Sequence, residues 1–539
     1  MKWIASLTLT LAALRHAAAT NSTSCTPRLM SYWINANASI GTVTSVDEAG
    51  SFQEDGNIAY PVNVTNLPSL CAVTFVAKTR EGNATYKFGL FLPDEWNDHV
   101  LTVGNEGYDG GVNWPAMAAG VKYGFVTVST DGGHNSTSNN LTWALGDENK
   151  QLDFGFRALH GSYQLAQRVI QRYYNLPAKK SYFAGTGQGG RQGLKAAQLY
   201  PRDFNAILIG APAWWQSHLQ SWRVSRATLN GGNDTKILTA ESLKVLGDNV
   251  RKQCDASDGV EDGIISNLAS CYFDFSLFTC GGDGVDASAC LTTEQVEVAK
   301  KLYDNYEVDD EKVFPGLSPS SEYEWTSVLG DNDTDVNEEA LGYFKNFIYD
   351  ADWEASSYND SVPAYANETN PGELDVNSFN LTQFASLGHK IIMYHGTADG
   401  VNSLNASIQF YESVVNATGG DIEATRSWFR LFLVPGLGSK NTSVDAPWYI
   451  GGPGQWEQLV DKDAANLTGV LSDPKYDALS ALVAWESDAT VPESIIATTW
   501  TNSTDTSTGV LRQRPICPWP ATQKYIGEGD QSKPESFVC

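Results

Sequence analysis

Residues 182–198 constrain the fold most. The apolar run Tyr182-Phe183-Ala184 leads into Gly185-Thr186-Gly187-Gln188-Gly189-Gly190, and that turn leads into the helix-like Arg191-Gln192-Gly193-Leu194-Lys195-Ala196-Ala197-Gln198. Clustered glycines let a strand reverse into a helix within one tight turn, because glycine alone takes left-handed backbone angles without steric cost. Further short apolar runs lie at Val100–Val103, Phe125–Val128, Ala206–Ile209, Lys390–Tyr394 and Trp428–Val434. They are apolar at nearly every position instead of every second one, as in strands covered on both faces. With helices between them, these runs predict an α/β fold built on a mostly parallel, doubly wound sheet.

Between the two blocks of strands the texture changes. Residues 214–380 hold four of the eight cysteines, many Asp and Asn, and a helical stretch at Thr293–Leu302. We read them as an inserted domain, with 20–213 and 381–539 forming the core. Residues 1–19 have the pattern of a secretory signal: Lys2, the apolar run Ile4–Leu14, and Ala17-Ala18-Ala19 before the cut. No later apolar run approaches the roughly 20 residues of a membrane span. All eight cysteines follow the signal, and sixteen N-x-S/T sequons run from Asn21 to Asn502. Disulfides, glycans and secretion are the expectation. A formal charge of −27 excludes nucleic acid as a default partner, since phosphate contacts need clustered Lys and Arg.

A strand–turn–helix of this kind is where some hydrolases present a nucleophilic serine, in the pattern G-x-S-x-G. Here the apex is Gly187. The same residues satisfy G-x-G-x-x-G through Gly185, Gly187 and Gly190, the dinucleotide fingerprint. Against that reading, the strand is not the first of its domain, and Asp203 falls in a helix-end turn instead of at a second strand tip.

Longer motifs extend around the turn: Ser129-Thr130-Asp131-Gly132-Gly133-His134, Asp153–His160, Gly189–Leu194, Gly210-Ala211-Pro212-Ala213, Tyr394-His395-Gly396-Thr397-Ala398-Asp399 and Val434-Pro435-Gly436-Leu437-Gly438. In these the chain resembles the fungal tannase and feruloyl esterase family over nearly its whole length. The resemblance implies an α/β-hydrolase fold with a large inserted lid, acting on phenolic esters through a Ser-Asp-His triad flanked by a cysteine pair. At the matching positions this chain has Thr186 and Gly187 for Cys-Ser, and Ser439 and Lys440 for His-Cys; Asp399 keeps its type. Loss of the nucleophile and its base removes ordinary triad chemistry. The joint loss of both cysteines keeps the count even.

Several groups remain to work with. The amide of Gln188, with one from the loop Gly104–Tyr108, would form an oxyanion site. Thr186 and Lys440 should be neighbours, since bridged Cα atoms sit about 5.5 Å apart. Either they form a nucleophile–base pair, or Lys440 pairs with Asp399 while Thr186 fills space. Ser439 is a further candidate nucleophile. Tyr108, His134 and His395 are polar candidates with equally good structural roles. In the insertion, Cys254–Ile264 carries carboxylates around glycines, read from spacing as either a Ca²⁺ loop or an exposed acidic turn. The resemblance implies a structural Ca²⁺ on Asp255, Asp258 and Asp262 with the carbonyls of Val260 and Ile264. It also implies the disulfides Cys25–Cys71, Cys254–Cys271, Cys280–Cys290 and Cys517–Cys539. The partner expected is an aromatic or phenolic small molecule. Three functions stay open: non-hydrolytic chemistry of the isomerase, cyclase or dehydratase kind, a non-catalytic binding protein, or an unconventional carboxylic ester hydrolase.

Overall fold

The computed structural model describes residues 24–34, 38–79, 84–230, 236–330, 336–439, 448–455, 473–502 and 505–539. The signal segment and Lys440 lie outside them. A nine-stranded sheet organises the chain: β1 (Ala38–Val46), β2 (Leu70–Lys78), β3 (Thr85–Pro93), β4 (His99–Val103), β5 (Val126–Thr130), β6 (Lys180–Thr186), β7 (Ala206–Gly210), β8 (Lys390–Gly396) and β9 (Phe429–Val434). The spatial order is β1-β2-β3-β5-β4-β6-β7-β8-β9. The six strands from β5 to β9 in that order are parallel, and β1–β3 form an antiparallel flank. The mostly parallel α/β sheet expected from the sequence is present.

Both faces are covered, which is why the strands are apolar at successive positions. Tyr182, Ala184, Leu208, Ile392 and Phe432 pack into one core, while Phe183, Ile207, Ile209, Met393 and Leu431 pack into the other. The helices α1 (Ala158–Tyr173), α2 (Gln188–Leu199) and α4 (Leu404–Ala417) connect and flank the strands, and α3 (Gln216–Leu229) follows β7 into the insertion.

After β7 the chain leaves the sheet and returns only at β8. The intervening residues build their own core around Trp222, Leu246, Val250, Phe278, Leu302 and Trp325. The stretch read as helical at Thr293–Leu302 is the helix Thr293–Tyr303, started by a capping box between Thr292 and Gln295. All four disulfides form with the pairing the resemblance implied. No helix among the described residues is long and apolar enough to cross a membrane.

Buried titratable groups give the fold a pH signature. Burial pushes Asp131, Glu322 and Asp477 up to about 7. Such a carboxyl favours the fold below about pH 4, where the open chain also holds its proton, and the contribution is lost as pH rises to 7. Burial pushes His134 and His218 down to about 4. These act oppositely, disfavouring the fold as pH falls from about 6.5 to 4. Burial also raises Asp109, Asp153 and Asp375 and lowers His99 and His389, so the carboxyls outnumber the histidines, and acidification also relieves the −27 charge. Calorimetry should therefore give a higher Tm at pH 5 than at pH 7.5; a lower one would contradict the balance.

Candidate functional site

β6 ends at Thr186, and Gly187 turns the chain into α2 with φ 52° and ψ −112°. The turn is fixed from three sides. The Gly187 amide donates to Gly210 O at 2.9 Å, and its carbonyl accepts from Arg191 N at 3.0 Å and Ala213 N at 2.9 Å. Crowding explains one neighbour: a Cβ on Gly185 would lie 2.5 Å from the Gly189 carbonyl carbon. At Gly187 the reverse holds, since a Cβ there meets nothing within 4 Å. The apex keeps the strained backbone of a nucleophile elbow and the room for a side chain, with no side chain in it.

Gln188 opens α2, so its amide is one of the first-turn donors without an intrahelical acceptor. Its buried side chain belongs to a polar chain in which Tyr108 Oη donates to Gln216 Oε1 at 2.6 Å and Gln216 Nε2 donates to Gln188 Oε1 at 3.0 Å. Gln188 Nε2 is buried with no acceptor among the described residues. The second oxyanion amide expected from Gly104–Tyr108 does not come from the first half of that loop. Gly104 N donates to Ala184 O, Asn105 N to Gln192 Oε1 and Glu106 N to Tyr60 Oη, at 2.9, 3.1 and 3.0 Å. Beside Gly185 and Thr186 lies a cavity of about 10 Å³, room for about one water.

Asp399 follows β8 and is buried. Its Oδ1 accepts from Val401 N at 2.9 Å and Asn402 N at 2.8 Å, and its Oδ2 lies 3.3 Å from His395 Nε2. His395 Nε2 also donates to Asn402 O at 3.1 Å, leaving Nδ1 to accept from Ser407 Oγ at 2.7 Å. Facing a carbonyl and a carboxylate oxygen, Nε2 acts as a donor. The described partner of Asp399 is thus His395, from its own strand end.

The inserted domain supplies a carboxylate that no motif places here. Glu324 accepts from Gly400 N at 2.9 Å and from Ser439 N at 3.0 Å. It ties the Asp399 turn to the Ser439 turn. Ser318 Oγ donating to Thr397 O at 2.7 Å and Ser403 Oγ donating to Gly316 O at 2.6 Å seat the insertion on the same turns. Asp399 and Ser439 are therefore brought together through Glu324. Thr186 is half-buried at the end of β6, in register with Gly210.

The other polar candidates are structural. His134 stacks on Trp143 at 3.8 Å and donates from Nε2 to Tyr108 O at 3.0 Å. Asp203 accepts from His160 Nδ1 at 2.7 Å, which occupies the carboxylate that the dinucleotide reading required.

In the acidic loop, Asp255 accepts from Asp262 N and Gly263 N, and Asp258 from Val260 N and Ser266 N. Asp262 Oδ2 faces Arg514 Nη2 at 2.6 Å and Arg512 Nη1 at 3.3 Å. Burial, and then the negative charge of Asp262, raise the carboxyls of Asp255 and Asp258. The donors are hard oxygens, right for Ca²⁺ in type. Yet among the described residues no group of three His, Cys, Asp or Glu side chains is arranged to hold a metal.

The fold, the elbow and the insertion between β7 and β8 together define an α/β-hydrolase-type protein. The family model described as tannase and feruloyl esterase matches residues 71–539, and the chain belongs to that family. It is 29% identical to an Aspergillus flavus protein named "Probable feruloyl esterase B-2", over 86% of each chain. It is 27% identical to an uncharacterized esterase of Xanthomonas campestris, over 93% of this chain and 89% of that one. Among solved structures, feruloyl esterase B from Aspergillus oryzae superposes with a TM-score of 0.84 at 25% identity, covering 94% of this chain and 97% of that one.

Proposed function

We propose that this chain is a secreted family member that takes an aromatic or phenolic small molecule where the lid meets the core, and acts on it without a serine nucleophile. The observation that carries this is Gly187: elbow backbone, open space above it, and no hydroxyl. What remains is the Gln188 amide, suited to stabilising a developing oxyanion or enolate, with Asp399 and Lys440 as the charged groups. That set fits proton-transfer chemistry of the isomerase, cyclase or dehydratase kind. A second reading, a binding protein without turnover, is favoured by the engagement of both Asp399 oxygens. Free phenolic acids and their esters incubated with the protein and followed by mass spectrometry test this. Rearranged product lost in Lys440→Ala supports the first reading, and bound but unchanged ligand supports the second. Release of acid and alcohol at the rates of active relatives overturns both.

Secretion is supported by the four disulfides and the N-terminal segment, and glycosylation by the exposure of every sequon asparagine among the described residues. We also propose a structural Ca²⁺ at Asp255, Asp258 and Asp262 with the Val260 and Ile264 carbonyls, supported by three carboxylates on one tight loop. Binding to the folded state alone stabilises it by about 2.7 kcal/mol at a hundredfold excess over Kd. Ca²⁺ added after chelation should raise Tm in the native protein and not in Asp258→Asn. No rise in the native protein would overturn the Ca²⁺ proposal and leave the loop held by its backbone amides, Arg512 and Arg514.

A further inference from the structure

We propose that a groove along α1, sharing no lining residue with the elbow, binds a small aromatic carboxylate. The groove is a cavity of about 430 Å³ between the end of β2, the start of β3, the first turns of α1 and Tyr200 at the end of α2. That volume suits a ligand of one or two rings. Flat apolar walls come from Tyr86, Phe156 and Tyr200.

The charge of this groove runs against the rest of the molecule. The chain has 63 acidic residues and 36 Lys and Arg, yet Lys78, Arg157 and Arg168 open here against the single carboxylate of Glu373. Two basic groups are held in place. Arg157 Nε donates to Asp153 Oδ1 at 3.0 Å and its Nη2 to Asn149 O at 2.7 Å. His160 stacks on Tyr200 at 3.7 Å with its Nδ1 on Asp203. Lys78 and Arg168 are exposed and form no ion pair among the described residues. Two cations without carboxylate partners among the described residues, at the mouth of an aromatic-walled groove, fit an anion carried on a ring. The ring is covered by the aromatic walls, and the carboxylate meets the fork of Arg168 and the ammonium of Lys78.

Calorimetric titration of the full-length protein tests this with 4-hydroxybenzoate, its neutral isostere 4-hydroxybenzamide, and sodium sulfate. The same titrations are run on the Lys78→Gln/Arg168→Gln variant. Both residues are exposed and outside the elbow, so the variant should keep the native Tm. The acid is expected to bind about tenfold or more tighter than the amide, the scale of one charge-assisted contact. Sulfate should bind more weakly than the acid, and the variant should lose the preference for acid over amide. Equal binding of acid and amide overturns the proposal. So does a preference that survives in the variant, which places the ligand elsewhere, or sulfate matching the acid, which removes the ring from recognition.

Discussion

Replacing Gly187 by Ser alone should leave phenolic-ester hydrolysis at the native level. The fourfold variant Thr186→Cys, Gly187→Ser, Ser439→His and Lys440→Cys should raise it by about 10²-fold or more. The asymmetry follows from how a triad works. Its members act as a unit, so a serine without a base is almost as inert as no serine, and effects are far from additive. The structure accommodates the side chain, since a Cβ at position 187 meets nothing within 4 Å. A non-glycine residue at φ 52°, ψ −112° costs on the order of 1–3 kcal/mol, so Gly187→Ser alone should melt slightly lower. The histidine must come from the Ser439 turn, whose backbone Glu324 already ties to the Asp399 turn. Hydrolysis restored by Gly187→Ser alone would mean that another base already faces the elbow. An inactive but folded fourfold variant would mean that the core departs from its hydrolytic relatives at more than these positions.

Arg191→Met should destabilise the protein by roughly 2–5 kcal/mol, the range for leaving several buried acceptors unpaired. Arg191 stands one turn into α2 and is fully buried. Its Nη1 donates to Gly155 O at 2.9 Å and Leu374 O at 3.3 Å, and its Nη2 to Phe154 O at 3.3 Å. Burial pushes its guanidinium down to about 10. One side chain thus joins the elbow helix, the π-helical turn Asp153–Arg157 and the segment by which the insertion returns to the sheet. Methionine fills similar space and removes the buried charge, but it also removes the three hydrogen bonds donated to Phe154 O, Gly155 O and Leu374 O. The measurements are Tm and limited proteolysis around residues 371–376. An unchanged Tm would show that burying the charge costs as much as the three bonds return.

The sequence made some of this legible and hid the rest for identifiable reasons. The parallel strands are readable because both faces are buried, so Ala206–Gly210 and the Ile391-Ile392-Met393 centre of β8 are apolar throughout. β1 is not, because Ala38–Val46 is an edge strand whose side chains are mostly half-buried or exposed. The elbow is legible in the strand, glycine turn and helix of residues 182–198, and the four disulfide pairings follow from the resemblance, through motifs that keep their order along the chain. Glu324 could not be found that way. It lies 115 residues from Ser439 in sequence, and the packing of the insertion alone brings them together. The engagement of Gly104, Asn105 and Glu106 amides was hidden for the same reason, since two of their acceptors, Gln192 and Tyr60, lie in other segments.

We propose that this family member, with its elbow empty, has given up serine-dependent ester cleavage. The most direct test is kcat/KM for methyl ferulate, measured side by side with the Aspergillus oryzae feruloyl esterase B. Removing the nucleophile or base of such a triad costs on the order of 10⁴–10⁶ in rate, so the predicted value is lower by about 10⁴-fold or more. A value within about tenfold of that enzyme, well inside the loss expected, would contradict the account and restore this chain to ester hydrolysis by another route.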